Sequence, residues 1–236
     1  MQPPHFLVLF GLCSVSILFN VCSSFSLNAI SRRDAIAAVG TFIVFPGNVK
    51  PAEAFDNSMD RTKFKDRPKR KGPQPTDLGI QFRGDLGDGL KGCGAGANCF
   101  SSTGDPELDG YYLIANLFVP PSTSTSPMKD VADAIEKYEV GHDNIDAGGF
   151  KIIKKDEGYV YAQFESLKNG YIDDVEFAVK DGEVLVRSSS RLGYLDYGVN
   201  AKRLNWIGKS LKEKGWKVKE INISTHRDYF EQNNLQ

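Results

Sequence analysis

The sequence predicts an α+β domain of two layers: a mainly antiparallel five-stranded sheet with two helices on one face, in the order β-α-β-β-β-β-α. Three observations carry this. Asn169-Gly170 and Asp181-Gly182 are two-residue sequences that accept positive φ, and each sits between strand-like runs. The three strands that they join sort onto two faces under a single register. Two stretches with helical apolar spacing need an apolar surface to cover, and the sheet offers one such face.

The elements follow in order. Tyr111 to Val119 reads as a strand, closed by Pro120-Pro121. Ser126 is placed to cap a helix with Pro127 at its first position, and Met128, Val131, Ile135 and Tyr138 form its buried stripe. Gly141 ends it. Phe150 to Lys154 is the next strand, turned by Asp156-Glu157-Gly158 into the two hairpins. After Arg191 a loop, Leu192 to Gly198, leads to Asn200, read as the cap of a helix with the stripe Leu204, Ile207, Gly208 and Leu211.

Two-residue turns fix the register. Across the first, Phe164 should face Val175, Ala162 face Phe177 and Glu165 face Asp174. Across the second, Val175 should face Ser188, Phe177 face Val186, Val179 face Val184 and Glu176 face Arg187. Val160, Ala162, Phe164, Val175, Phe177, Val179, Val184 and Val186 then make the core face. The other face carries Glu165, Asp174 and Glu176 beside Arg187, with Ser189 and Arg191 along the same strand. With both helices on the valine face, this polar face is expected to be open. Asp173 falls on the core side near Ser166 and Ser190, where a buried acid needs donors; a structural clasp is expected there, with Ser190 a member.

Upstream of this domain the chain changes character. Phe6 to Val21 is almost wholly apolar, the size of a signal-peptide core, and residues 1–24 read as a secretory signal. Within 25–54, Arg32-Arg33, the apolar run Ile36 to Phe45 and Ala52-Glu53-Ala54 match a twin-arginine export signal. Signals in this order resemble the layered presequences of red-lineage secondary plastids, which implies transit to the thylakoid lumen and a mature start at Phe55, with no transmembrane span left. Residues 55–85 form a basic, proline-containing arm expected to be flexible and solvated; Arg61 to Lys71 alone holds seven bases and one acid. The arm could touch an anionic membrane surface peripherally. The folded domain is expected over 86–220, with 221–236 as a tail.

Composition excludes several classes. A net charge of −1 gives no electrostatic case for nucleic acid. The three histidines are scattered, so no histidine-based metal site is expected, and no cofactor motif is present. The glycine-rich run Gly87 to Gly96 lacks the Gly-Lys-Ser/Thr ending of a phosphate cradle. It contains Cys93, which with Cys99 would close a disulfide in an oxidising compartment, worth about 2 kcal/mol on the chain-entropy argument.

Asn98-Cys99-Phe100-Ser101-Ser102, Asp173-Asp174-Val175-Glu176-Phe177 and Arg187-Ser188-Ser189-Ser190-Arg191-Leu192-Gly193, followed by Asp196, Gly198, Asn200 and Arg203, resemble domain-of-unknown-function family 1499 from about Leu86 to Lys217. Members with plastid leaders are similar to thylakoid-lumen proteins. The chain departs from the family pattern after Cys93, where Gly-Ala-Gly-Ala replaces a tendency to proline. The resemblance implies a fold unit and no reaction.

Several functions stay open. In the first, a binding or assembly module, the polar face and the loop after it dock a lumenal protein or a small anionic ligand through Glu165, Asp174, Glu176, Arg187, Ser189, Arg191, Asp196, Asn200 and Arg203, the arginines holding carboxylate or phosphate. In the second, a hydrolase-like enzyme, Asp174 or Glu176 works as acid or base; however, Arg187 opposes Glu176, and no Ser–His or Cys–His arrangement is recognisable, so no catalytic residue is assigned. The third is a carboxylate metal site from Glu165, Asp174 and Glu176. A purely structural, salt-bridged solvent face is the fourth.

Overall fold

The computed structural model describes residues 55–60, 62–114 and 117–235, all within one unit spanning 49–236. The two leader signals lie outside the described residues. Among the described residues no helix is long and apolar enough to cross a membrane.

The main sheet has five antiparallel strands in the spatial order β1-β6-β5-β4-β3. These are β1 Cys99–Ser101, β3 Phe150–Lys155, β4 Tyr159–Glu165, β5 Ile172–Lys180 and β6 Glu183–Ser190. A second small sheet pairs β2 Phe118–Val119 with β7 Lys217–Val218. Helices α1 Pro127–Glu136 and α2 Val199–Lys212 cover the valine face, and a short α3, Arg227–Gln232, closes one end. The α+β architecture with two main helices on one face is the one the sequence predicts.

The second hairpin has the predicted register: Val175 pairs with Ser188, Glu176 with Arg187 and Phe177 with Val186. Asp181 and Gly182 both take positive φ, 50° and 82°, as a two-residue turn with strand twist requires. The first hairpin differs by two residues. Ala162 pairs with Val175, Phe164 with Asp173 and Glu165 with Ile172. Its loop is Leu167-Lys168-Asn169-Gly170, closed by the Gly170 amide on the Ser166 carbonyl (2.9 Å) and the Ser166 amide on the Tyr171 carbonyl (3.0 Å). Only Gly170 of the Asn-Gly pair has positive φ, so the two-residue turn does not form. A shift of two leaves every side chain on its predicted face, which is why the core survives the error.

The fifth strand is not Tyr111–Val119. That stretch splits into a 3₁₀ turn at Gly110–Tyr112, a bridge from Leu113 to Ser101, and β2. The edge of β6 is taken instead by Cys99–Ser101, with Phe100 opposite Ser188. Pairing of so short a strand depends on its packing partners more than on its own β-propensity.

Both helices keep their stripes: Met128, Val131, Ile135, Leu204, Ile207 and Leu211 are fully buried. Their starts differ from expectation. Ser126 precedes α1 but caps it through its carbonyl, which accepts from the Lys129 and Asp130 amides, and not through its hydroxyl. Helix α2 is capped at Gly198 (φ 81°), with Asn200 inside the helix. The Asp196 carboxylate receives the Gly198 and Asn200 amides instead, at 3.0 and 2.9 Å. Residues 221–235 are more than a tail. Ile221 and Tyr229 are buried, and the Tyr229 ring lies 4.5 Å from that of Phe100.

Candidate functional site

The residues singled out in the sequence divide between two sides of the sheet, and a cleft of about 820 Å³ opens beside one of them.

On the outer side, alternation brings Glu165, Asp174, Glu176 and Arg187 to one surface, as predicted, but the surface is not open. Residues 69–81 of the basic arm run across it, and Glu165, Asp174 and Glu176 are at most 1% exposed. The Gly79 amide and the Tyr159 hydroxyl both donate to Glu176 Oε2 at 2.6 Å, while Arg187 Nη1 stands 3.7 Å from Oε1. Burial raises the Glu176 pKa against those donors. Arg191 grips Asp174 with two bonds of 2.7 Å, and Tyr161 adds a third at 2.5 Å. Gln74 of the arm joins this group, donating to Tyr161 and accepting from Arg191 and Gln163, each at 2.9 Å. Lys69 and Lys71 bring their ammonium groups to 3.5 Å from the Glu165 carboxylate. Ser189 is half-buried between Asp174 and Cys99 in register.

The expected open face is therefore an internal polar layer. Charges taken out of water demand counter-charges: the arm's Lys69 and Lys71 supply them to Glu165, and Arg187 and Arg191 supply them to Glu176 and Asp174. Among its described residues the arm has no α-helix and no strand, and its residues 69–81 lie against the sheet while much of the rest of it faces solvent. Each carboxylate has its own cation, so the three do not converge on one point; among the described residues no group of three or more His, Cys, Asp or Glu is arranged to hold a metal ion.

On the inner side, Arg203 is fully buried and organises a second cluster. Its Nε and Nη2 donate to Asp146 at 2.8 and 2.6 Å, and Nη2 also reaches Asp173 at 2.7 Å. Nη1 donates to Asn200 Oδ1 at 2.8 Å, an oxygen that also accepts the Ser188 hydroxyl. The guanidinium lies 4.7 Å from the centre of the Phe164 ring. Asp173 is thus the clasp the sequence predicts, but its main partner is Arg203. Burial pushes its pKa up, while Arg203 and the Ser190 hydroxyl hold it down. Asn200 Nδ2 links the cluster to Asp196 (2.7 Å), Ser190 (3.2 Å) and the Asn98 carbonyl (2.9 Å).

Asp196, Asn200 and Arg203 therefore belong with Asp173 and Ser190, not with the outer carboxylates. Sequence reasoning missed Asp146, Tyr138, Asn98, Tyr229 and Asn233. Tyr138 donates to Asp146 at 2.6 Å, and burial raises its pKa strongly. Tyr229 donates to Asp196 at 2.7 Å, and Asn233 accepts the Asp196 and Tyr197 amides. Asn98 pins the Gly193 carbonyl at 2.7 Å. The one available signal was the position of Arg203, four residues before Ile207 on an otherwise apolar helical stripe. The disulfide Cys93–Cys99 is formed, with its Cα atoms 5.5 Å apart, and it anchors the chain entering β1.

Beside the inner cluster opens a cleft of about 820 Å³. It lies between the loop before β3, the β4–β5 loop, the β6–α2 loop and the arm residues Met59, Phe64 and Arg70. Asp146, Asp173 and Asp196 are buried polar groups of its lining and, with Ile145, form its floor. Leu192, Leu195, Tyr171, Tyr194 and Tyr197 supply apolar and aromatic wall. A volume in this range with a few convergent polar groups suits a small molecule.

A family model described as "Protein of unknown function (DUF1499)" matches residues 89–211. No curated protein and no solved structure matches the chain.

Proposed function

The chain belongs to the DUF1499 family, and on that premise we propose that it is a non-catalytic binding module of the thylakoid lumen whose ligand site is the cleft beside Arg203. On the polar sheet face, the first candidate in the sequence, the chain's own arm covers Glu165, Asp174 and Glu176, so a ligand would reach those carboxylates only by displacing it. The observation that carries the proposal is the cleft itself: about 820 Å³, apolar walls, and a floor whose hydrogen bonds are already set by Arg203, Asn200 and Tyr229. A preorganised floor lowers the entropy that binding must overcome. The lumenal setting is supported by the serial signals within residues 1–54 and by the disulfide, a bond suited to an oxidising compartment.

Hydrogen exchange tests the cleft reading. Adding a small-molecule extract of thylakoid lumen should slow exchange in the loops 141–147, 166–171 and 192–199. Slowing confined to the outer face, or consumption of an extract component by the protein, would contradict it.

A further inference from the structure

We infer that the cleft takes a ligand bearing a protonated amine at one end of an apolar or aromatic body, with the ammonium seated on Asp173. This rests on the reading of the cleft as a ligand site, and goes beyond it in naming the chemistry.

The argument starts from the floor's charge. Asp146, Asp173 and Asp196 are each less than a tenth exposed, and among the described residues Arg203 is the one cation bonded among them. Asp146 and Asp196 are saturated from within. Asp146 accepts two bonds from Arg203 and one from Tyr138. Asp196 accepts from the Gly198 and Asn200 amides, the Asn200 side chain and Tyr229. Asp173 differs: apart from the Ser190 hydroxyl it has one Arg203 nitrogen, shared with Asp146, and it keeps 11% of its side chain accessible and lines the cleft.

The acceptor with room for another donor therefore faces the cavity, in a cluster whose three carboxylates have one cation bonded among them. A charge-assisted bond from an ammonium is the strong way to fill that place. Burial and the negative charge of Asp146 raise the Asp173 pKa above its ordinary value, and an arriving cation would lower it again. Two tyrosines in the lining, Tyr194 and Tyr197, add ring faces, which attract cations, while the Tyr171 ring already carries the Arg70 guanidinium 5.7 Å from its centre. Arg70 and Lys168 also line the cleft, but both are exposed at its solvent side, where their charge is screened.

Calorimetric titration of the natively processed protein with decylamine, decanol and decanoate, each below its micellar concentration, separates head group from body. Decylamine should bind at least about tenfold tighter than decanol, with decanoate the weakest. Asp173→Asn should bring decylamine to the level of decanol and leave decanol within about twofold. Leu192→Trp, at a half-exposed wall position, should weaken all ligands together. Equal binding of amine and alcohol, or an amine preference that survives Asp173→Asn, would overturn the head-group assignment while the cleft stands. Failure of all three to bind the wild type would overturn both readings. Should Asp173→Asn not fold, the wild-type rank order still decides.

Discussion

Replacing Arg203 by methionine is the most searching perturbation of the inner cluster. The variant keeps most of the apolar stem against Phe164 but removes the guanidinium, and with it three bonds to Asp146 and Asp173 and one to Asn200. Two buried carboxylates then face each other without a cation. Breaking a buried ion pair from one side costs about 3–5 kcal/mol. For a domain of this size that lowers Tm by roughly 6–20 °C. The deficit should also depend on pH. Asp173 already has a folded-state pKa above its ordinary 3.8 because of burial, so the folded chain holds that proton more tightly than the unfolded one. The stability linked to it is complete below about pH 3.8 and is lost as pH rises through the folded-state pKa. Without Arg203 to oppose the rise, that pKa moves further up, so acidification from pH 7 to 5 should recover part of the loss. Urea unfolding of wild type and Arg203→Met at both pH values measures this. A deficit under about 1 kcal/mol, or one that grows in acid, would refute the assignment of Arg203 as counter-ion to buried, ionised carboxylates.

Two further outcomes follow from the structure and a third from the leader sequence. Arg191→Ala should cost about 3–5 kcal/mol in thermal unfolding, since Asp174 lies buried under the arm and loses a two-bond partner; a loss under 1 kcal/mol would mean that the arm does not seal that face. Reduction or Cys93→Ser/Cys99→Ser should lower stability by about 2 kcal/mol, the entropy of a short closed loop, read as a shift in urea midpoint at unchanged slope. N-terminal sequencing of the protein from plastids should give a start at or near Phe55, whereas a membrane-bound form retaining Arg32-Arg33 would contradict the lumenal assignment.

How much was readable in advance differs by element. The Asp181–Gly182 hairpin, the two faces and both helical stripes were legible because each depends on local periodicity or on a turn that imposes φ by itself. The Asn169–Gly170 turn was misread because Asn-Gly only permits a two-residue loop; here the Ser166 hydroxyl, accepting the Tyr171 amide at 3.0 Å, favours a four-residue one. Strand β1 was hidden because three residues in a glycine-rich segment carry no pattern. Burial of the polar face was invisible for a different reason. The arm is held by single groups, the Gly79 amide, Gln74 and two lysines, spread over a run without period. Sorting Asp196, Asn200 and Arg203 away from Glu165 and Asp174 was within reach once both helices were placed on the valine face; what the sequence did not show was that Arg203 pairs inward with Asp146 and Asp173. Asp146, on a loop far from both in sequence, left no local trace of its pairing.

The cleft as ligand site is the central claim, and native mass spectrometry of the protein isolated from its own cells tests it most directly. Wild type and Leu192→Trp are purified side by side without denaturant or detergent. The account predicts a bound small-molecule mass on the wild type, released on unfolding, and absent from the variant at unchanged Tm. The same adduct on both proteins, or bare protein in both, would contradict it.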